Sequence, residues 1–430
     1  MSGYPMHRSH RRRWRTSALA AATLSCLAFT GGARAQEAKS FREALGISGT
    51  LRGAWFSRDF DFAPRADSGS ASAWLTVRPT PVWSVKSYLD ARVQDQDLGR
   101  ESRTSWELRE GYLERAFGDL DVKAGRQIIV WGRADKVNPT DVWSVKDLKL
   151  LTTDDEDQRL GAAAVQASWR IAGSNVIGVW QPEWRRPEFP VPPLPGGLRS
   201  MSLDPHDASG QLGLKLDHSG EGADCSVSYA RAIDKVPDLA LQAPGWLAFT
   251  YRPMDMFGAD AAVPVGQYGL RGEIAYSRTP DHDVPGTAIK HDNLFLVAGV
   301  ERTFDGELNF NIQYLYRHSF GYEDPNRVTD PVQQLLDRQE DVISGQQRRN
   351  MHGLSVRVVD KFFNETLEGE FAGVVWFGGA GGALRPKLSY ALSDDLKIAL
   401  GGQLYFGPSE GFFGQFHDAS SAFVELRLGF

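Results

Sequence analysis

The sequence predicts an all-β fold: a transmembrane antiparallel up-and-down β-barrel of about 16–18 strands, with short periplasmic turns and long extracellular loops. Three observations predict it. Side chains alternate between apolar and polar along many short segments. The connections between those segments alternate between short and long. The chain closes on the alternating strand AFVELRLGF, which ends in Phe430.

Residues 1–35 are read first, because they are set aside from the fold. Arg8, Arg11, Arg12, Arg13 and Arg15 form a basic stretch, Ala18–Phe29 an apolar run, and Ala33 and Ala35 an A-x-A cleavage pattern. This is the pattern of a secretory signal peptide. The signal removes six Arg and no acids, so the mature chain carries 42 basic and 54 acidic residues, net −12. That sign speaks against a nucleic-acid partner. Only Cys225 remains after the signal, so no internal disulfide can form. No later apolar stretch is long enough for a membrane-spanning helix. A short periplasmic segment, 36–45, is expected before a barrel domain over 46–430.

Strand segments begin near residues 46, 70, 81, 104, 119, 160, 173, 209, 222, 246, 266, 292, 306, 350, 366, 382, 396 and 420. In 266–277, Tyr268, Leu270, Ile274 and Tyr276 oppose Gln267, Arg271, Glu273 and Ser277. In 306–318, Leu308, Phe310, Ile312, Tyr314 and Tyr316 oppose Asn309, Asn311, Gln313 and Arg317. In 366–377, Leu367, Phe371, Val375 and Phe377 oppose Glu368 and Glu370. In 396–407, Leu396, Ile398, Leu400, Leu404 and Phe406 oppose Lys397, Gln403 and Tyr405. A period of two with one oily face is the strand pattern. The even connections are short, such as 117–119 and 171–174; the odd ones are mostly long, such as 132–159, 184–208 and 319–349. Alternating connection lengths are what a membrane barrel produces, with tight turns at one rim and long loops at the other. A closed barrel also pairs every backbone group in hydrocarbon without leaving an edge. Trp55, Trp83, Trp106, Trp131, Trp180, Trp376 and Tyr405 fall near strand ends, as interfacial girdle residues do.

Alternation places Arg109, Arg115, Arg271, Glu273, Arg317, Arg357, Glu368, Glu370 and Lys397 on the inward faces as candidate pore-lining residues. Opposed charges lining a pore set its ion and solute preference; satisfied ion pairs that stiffen the wall are an equally good reading of any one of them. A second candidate group is the loop 132–159, a constriction or recognition loop carrying Arg133, Asp135, Lys136, Asn138, Asp141, Asp154, Asp155, Glu156 and Asp157. Loops of this length are usually functional or folded inward. The acidic run 154–157 matches no calcium-loop spacing, and a solvated loop base is its expected role. In 319–349, Asp330 can cap a helix with Pro331 in its first turn, and Val332, Leu335, Leu336 and Ile343 share a face. That helix either folds into the mouth or sits over it as a lid. Segment 184–208 contains PEFPVPPLPGG and reads as a stiff, extended loop.

Catalytic signals are poor. The sequence contains no HExxH, no Walker A and no GxSxG motif, and its His residues form no spaced cluster. No catalytic residue, metal site or cofactor is expected.

The run GRQ–VWGRAD–NPTD–DDEDQR, followed by the strand LGAAAVQASW, covers Gly125–Trp169. It resembles the porin-like outer-membrane barrels grouped as DUF1302, with relatives among alginate-export-type barrels. Segment 256–276 resembles them more weakly. The resemblance implies a channel in the outer membrane of a Gram-negative bacterium, in some cases serving inner-membrane exporters of hydrophobic molecules; it transfers no catalytic residues. The function expected is passive passage of small solutes. The alternative is an outer-membrane component that exports or takes up a hydrophobic or larger compound with an inner-membrane transporter. The partners expected are outer-membrane lipid and lipopolysaccharide, the barrel-assembly machinery (through Phe430) and a small solute.

Overall fold

A computed structural model describes residues 43–430, apart from 61–66, 99–102, 193, 195–197, 206–209, 244 and 280–285. The expected signal peptide lies outside the described residues. The architecture is a closed 18-stranded antiparallel β-barrel. Its strands are β1 (Ile47–Phe56), β2 (Ser68–Val77), β3 (Val85–Leu98), β4 (Arg103–Phe117), β5 (Leu120–Gln127), β6 (Ala162–Ile171), β7 (Ser174–Gln181), β8 (Gln211–Ser219) and β9 (Asp224–Ile233). They continue with β10 (Pro253–Val265), β11 (Tyr268–Arg278), β12 (Asn293–Thr303), β13 (Asn309–Ser319), β14 (Asn350–Phe362), β15 (Leu367–Trp376), β16 (Gly381–Ala391), β17 (Leu396–Phe406) and β18 (Ser421–Gly429). Each strand pairs with the next, and β18 closes on β1, with Thr50 opposite Gly429 and Phe56 opposite Phe423. At the short-turn rim, Ala172 and Gly173 both take positive φ, the two-residue geometry that matches strand twist.

The two faces invert the arrangement of a soluble core. On β8, Leu212, Leu214 and Leu216 are 52%, 55% and 47% exposed, whereas Gln211 and Lys215 are 2% and 6% exposed. The oily face looks outward, the arrangement of a membrane barrel. The polar face looks into the lumen, which the segment between β5 and β6 crosses.

The outer loops build structure of their own. Arg199–Leu203, Trp246–Thr250, Asp238–Ala243 and Thr287–Ala288 form a four-stranded sheet, and the helix α1 spans Pro331–Ser344. Asp330 caps α1, accepting from the backbone N–H groups of Val332 and Gln333. Leu336 on α1 packs with Leu239, Leu247, Phe249 and Ala288, and Ile343, Val191 and Leu194 join that cluster. The loops therefore bury a small core above the barrel. This corrects the barrel strand expected from residue 246. Trp246–Thr250 belongs to the loop sheet, pairing in parallel with Arg199–Leu203, and the barrel strand starts at Pro253.

Candidate functional site

The site is built by the segment between β5 and β6, residues 128–161, which leaves the wall and crosses the lumen. Gly132 makes the departure possible. It has φ +95°, and a Cβ there would lie 2.5 Å from the carboxylate oxygens of Glu273 on β11. Only Gly allows both the conformation and the approach. The backbone N–H groups of Arg133 and Ala134 then donate to Glu273 at 3.1 Å each. An Asn138–Asp141 turn follows, its Asp141 N–H donating to the Asn138 carbonyl at 3.2 Å. Within it Thr140 donates to Glu273 through both its N–H and its hydroxyl.

The first half of the segment is held on this side by apolar packing as well. Trp131 and Trp143 meet edge-on with ring centroids 5.4 Å apart. Both are buried against a wall of small inward residues, including Ala164, Ala230, Ala232 and Ala275. Gly213 on β8 lies directly beneath the rings. Arg133 adds ion pairs to Asp217 of β8, at 2.5 Å, and to Asp260 of β10.

The second half reaches the opposite wall, where the acidic run meets basic side chains. Asp154 pairs with Lys387 at 2.9 Å and with Arg427 at 2.7 Å. Asp155 pairs with Arg385 and, at 3.2 Å, with Lys136 of its own segment. Asp157 pairs with Arg52 at 2.5 Å and accepts from the Thr152 hydroxyl at 2.7 Å, while its carbonyl accepts from Arg92. The Glu156 carbonyl accepts from Arg109, and its carboxylate pairs with Arg159 at 2.7 Å. Burial opposes the charge on Asp154, yet Lys387 and Arg427 hold its carboxyl well below the usual carboxylate range. Asp141 goes the other way: burial pushes it up despite Arg159 at 3.0 Å. The solvated loop base expected for 154–157 is therefore corrected: Asp157 is 7% exposed and the run faces six basic wall residues.

The candidate pore-lining residues separate into groups. Arg271 faces inward, pairing with Glu301 at 2.7 Å and donating to the Arg133 carbonyl. Arg357 pairs with Glu370 at 2.8 Å, and Glu370 also meets Lys387 at 3.0 Å. Glu368 and Lys397 line an inner hollow beneath Asp154, beside Glu425 and Arg427. Arg109 faces inward and pairs with Asp90 at 2.8 Å. Glu273 faces inward too, but lies buried under the crossing segment. Arg317 is directed at α1: it donates to the carbonyls of Ser344 and Gly345 and stacks beside Phe295 and Trp376. Asp135 and Lys136 sit on the lumen-crossing segment, half-buried and exposed respectively.

Arg115 is a correction. It shares the outward face of β4 with Leu113 and Phe117, and its guanidinium lies over the Phe117 ring. The expected girdle is corrected at three places. Trp131 packs inside the lumen, Trp376 faces inward beside Arg317, and Tyr405 faces an inner chamber; Trp55, Trp83, Trp106 and Trp180 are exposed.

Sequence reasoning left Arg52, Arg92, Arg385, Lys387 and Arg427 out of the site. The signal was present in each case. Arg427 alternates with Leu426 and Leu428, and Lys387 with Pro386 and Leu388. Alternation marks these residues as inward, but not as the anchors of a distant loop.

A family model described as a protein of unknown function, DUF1302, matches residues 65–356. No curated protein matches the sequence. Among solved structures, OccAB2 of Acinetobacter baumannii is 10% identical with a TM-score of 0.54, covering 89% of this chain and 97% of that one. OpdK of Pseudomonas aeruginosa, solved with vanillate, is 11% identical with a TM-score of 0.54, covering 89% and 98%. OccK11 (OpdR) of Pseudomonas aeruginosa is 12% identical with a TM-score of 0.51, covering 89% and 95%. The likeness is one of fold: the outer-membrane porin barrel.

Proposed function

We propose that this chain, which belongs to the DUF1302 family, is an outer-membrane channel of a Gram-negative bacterium that passes small solutes by diffusion. The observation that carries the reading is the segment 128–161, which spans a polar lumen and sets an acidic run against a basic wall. An 18-stranded barrel is wide enough for water unless loops fill it. A segment tied to both walls narrows that opening without closing it by hydrophobic packing alone. The charged side chains around it then act as the selectivity element. No covalent chemistry is assigned to it. Phe430 serves the assembly machinery, and lipid with lipopolysaccharide covers the outward face.

One observation favours a second reading, a component that moves a hydrophobic or larger compound together with an inner-membrane transporter. An apolar chamber lies above the crossing segment, among the outer loops.

Planar-bilayer conductance of the purified protein tests the first reading. Stable, ohmic, ion-sized steps are expected. A silent protein that conducts only after deletion of 132–159 or 319–349 overturns the open-channel reading and leaves a gated or occluded barrel.

A further inference from the structure

Between the outer loops and the wall at β16–β17 lies a chamber of about 270 Å³. Its sides come from five separate parts of the chain. Leu148 belongs to the crossing segment, Phe189 and Val191 to the Pro-rich loop, Phe249 to the loop sheet, Ile343 to α1, and Phe416 to the last outer loop. These residues are far apart in sequence, and three of them, Val191, Phe249 and Ile343, also belong to the small loop core. The chamber is a product of the assembled loops.

Two features of its polar edge define what it would hold. First, the lining contains one positive and one negative side chain, Arg385 and Asp155, and they are paired with each other. Arg385 also donates to the Thr152 carbonyl at 3.2 Å. No charge is left over for a ligand. A charged guest would be desolvated among aromatic and aliphatic groups without a counter-ion, which is costly. Second, the side-chain amides of Gln339, Gln403 and Gln415 line the chamber without a hydrogen-bond partner among the described residues. They offer donors and acceptors at the edge of an otherwise oily space.

We propose that this chamber binds a neutral, compact, largely apolar organic molecule carrying one or two hydrogen-bonding groups. A dry cavity of about 150 Å³ accommodates benzene, so this one suits roughly ten to twelve non-hydrogen atoms. An apolar lining with a few convergent polar groups is the usual make-up of a small-molecule site. The site goes beyond the channel reading, since binding here does not require that the barrel conduct.

The test uses the full protein in lipid nanodiscs near neutral pH, with 2-naphthol as the neutral probe and 2-naphthoate as its anionic counterpart. Binding is measured calorimetrically, with protein-free nanodiscs subtracted for partition into lipid. Saturable one-to-one binding of 2-naphthol is expected, with 2-naphthoate at least about tenfold weaker. Val191→Trp, which fills the chamber from a loop, should weaken 2-naphthol by about tenfold or more. Gln339→Trp, on α1, does the same from another side should the first variant fail to fold. Asp155→Asn frees Arg385 and should raise 2-naphthoate affinity about tenfold. The proposal is overturned if 2-naphthol shows only partition, if 2-naphthoate binds the unmodified protein as tightly, or if neither filling variant weakens binding. Conductance on the same preparations keeps the two readings apart, because each can fail without the other.

Discussion

Glu273 accepts two hydrogen bonds from Thr140, one from its backbone N–H at 2.7 Å and one from its hydroxyl at 2.8 Å. With the N–H groups of Arg133 and Ala134, one wall carboxylate gathers both ends of the first turn of the crossing segment. Hydrogen bonds to a charged group contribute about 1.5–3 kcal/mol each. Glu273→Gln removes the charge and turns an amide NH₂ toward backbone donors. The expected result is a loosened segment: faster proteolysis within 132–159 and larger, noisier conductance steps. Unchanged cleavage and conductance would show that the anchor lies elsewhere.

Packing supplies the second hold on that half of the segment. A Cβ at Gly213 would stand 2.4 Å from the Trp143 ring and 2.7 Å from that of Trp131. Gly213→Ala should destabilise by about 1–3 kcal/mol, the usual cost of overpacking. Gly53→Ala is the control, because nothing lies within 4 Å of a Cβ there. Denaturant midpoints followed by heat-modifiable gel mobility compare the two. Equal midpoints would argue against a tight Trp131–Trp143–Gly213 contact.

Charge substitutions on the two sides of the lumen should move ion selectivity in opposite directions. Arg271→Glu removes a positive charge and adds a negative one beside Glu301, so the reversal potential in a salt gradient should shift toward cations. Asp154→Asn leaves Lys387 and Arg427 less compensated, and the shift should be toward anions. Removing one member of a desolvated pair also costs stability, so folding is checked alongside. Shifts of the same sign, or none, would contradict the inward placement of these groups.

Helix α1 carries a pH dependence. Burial raises Asp341 to about 8, helped by Asp337 and Asp324, with Tyr322 hydrogen-bonded to it in opposition. Glu340 beside it is held well above its ordinary range by burial, against Lys290 and with Asp238 and Asp341 adding to the rise. Both carboxyls are thus harder to ionise in the docked helix than in an undocked one. The docking free energy they carry is fully present below the ordinary carboxyl pKa, about 4. It is lost as the pH rises toward 8, the value for Asp341. Hydrogen exchange in 331–344, corrected for intrinsic rates, should therefore accelerate across that window. Asp341→Asn should flatten the response; an identical profile in the variant would remove Asp341 from it.

Strand positions, faces and loop lengths were legible because each depends on neighbours in sequence. Tyr314 exposed beside a buried Gln313 is the period of two seen directly. Arg115 shows where that reasoning fails. Arg109 and Arg115 are six residues apart on one strand, so alternation puts them on one face. In the folded barrel Asp90 pairs with Glu110 and Ala91 with Leu108, which leaves Arg109 as the extra residue of a β-bulge. The bulge inserts one residue into the count, and Arg115 turns outward while Arg109 turns in. Trp131 illustrates a different limit. Its place at a strand end suits a girdle residue, but its ring lies on the inward side with Gln127 and Ile129, packed on Trp143 and Ala164, while Val130 is the exposed neighbour.

By itself the sequence determined a membrane barrel, its approximate strand count and which residues belong to long loops, because backbone pairing in lipid forces a local pattern. Only the tertiary structure decided what the inward charges do. Arg427 and Asp154 are 273 residues apart, and Glu273 and Thr140 are 133 apart. Charges choose partners through space at distances of a few ångströms, and barrel closure sets those distances. Alternation can say that a side chain faces the lumen, but only the closed ring brings one wall's cations to the acidic run of a segment that leaves the other.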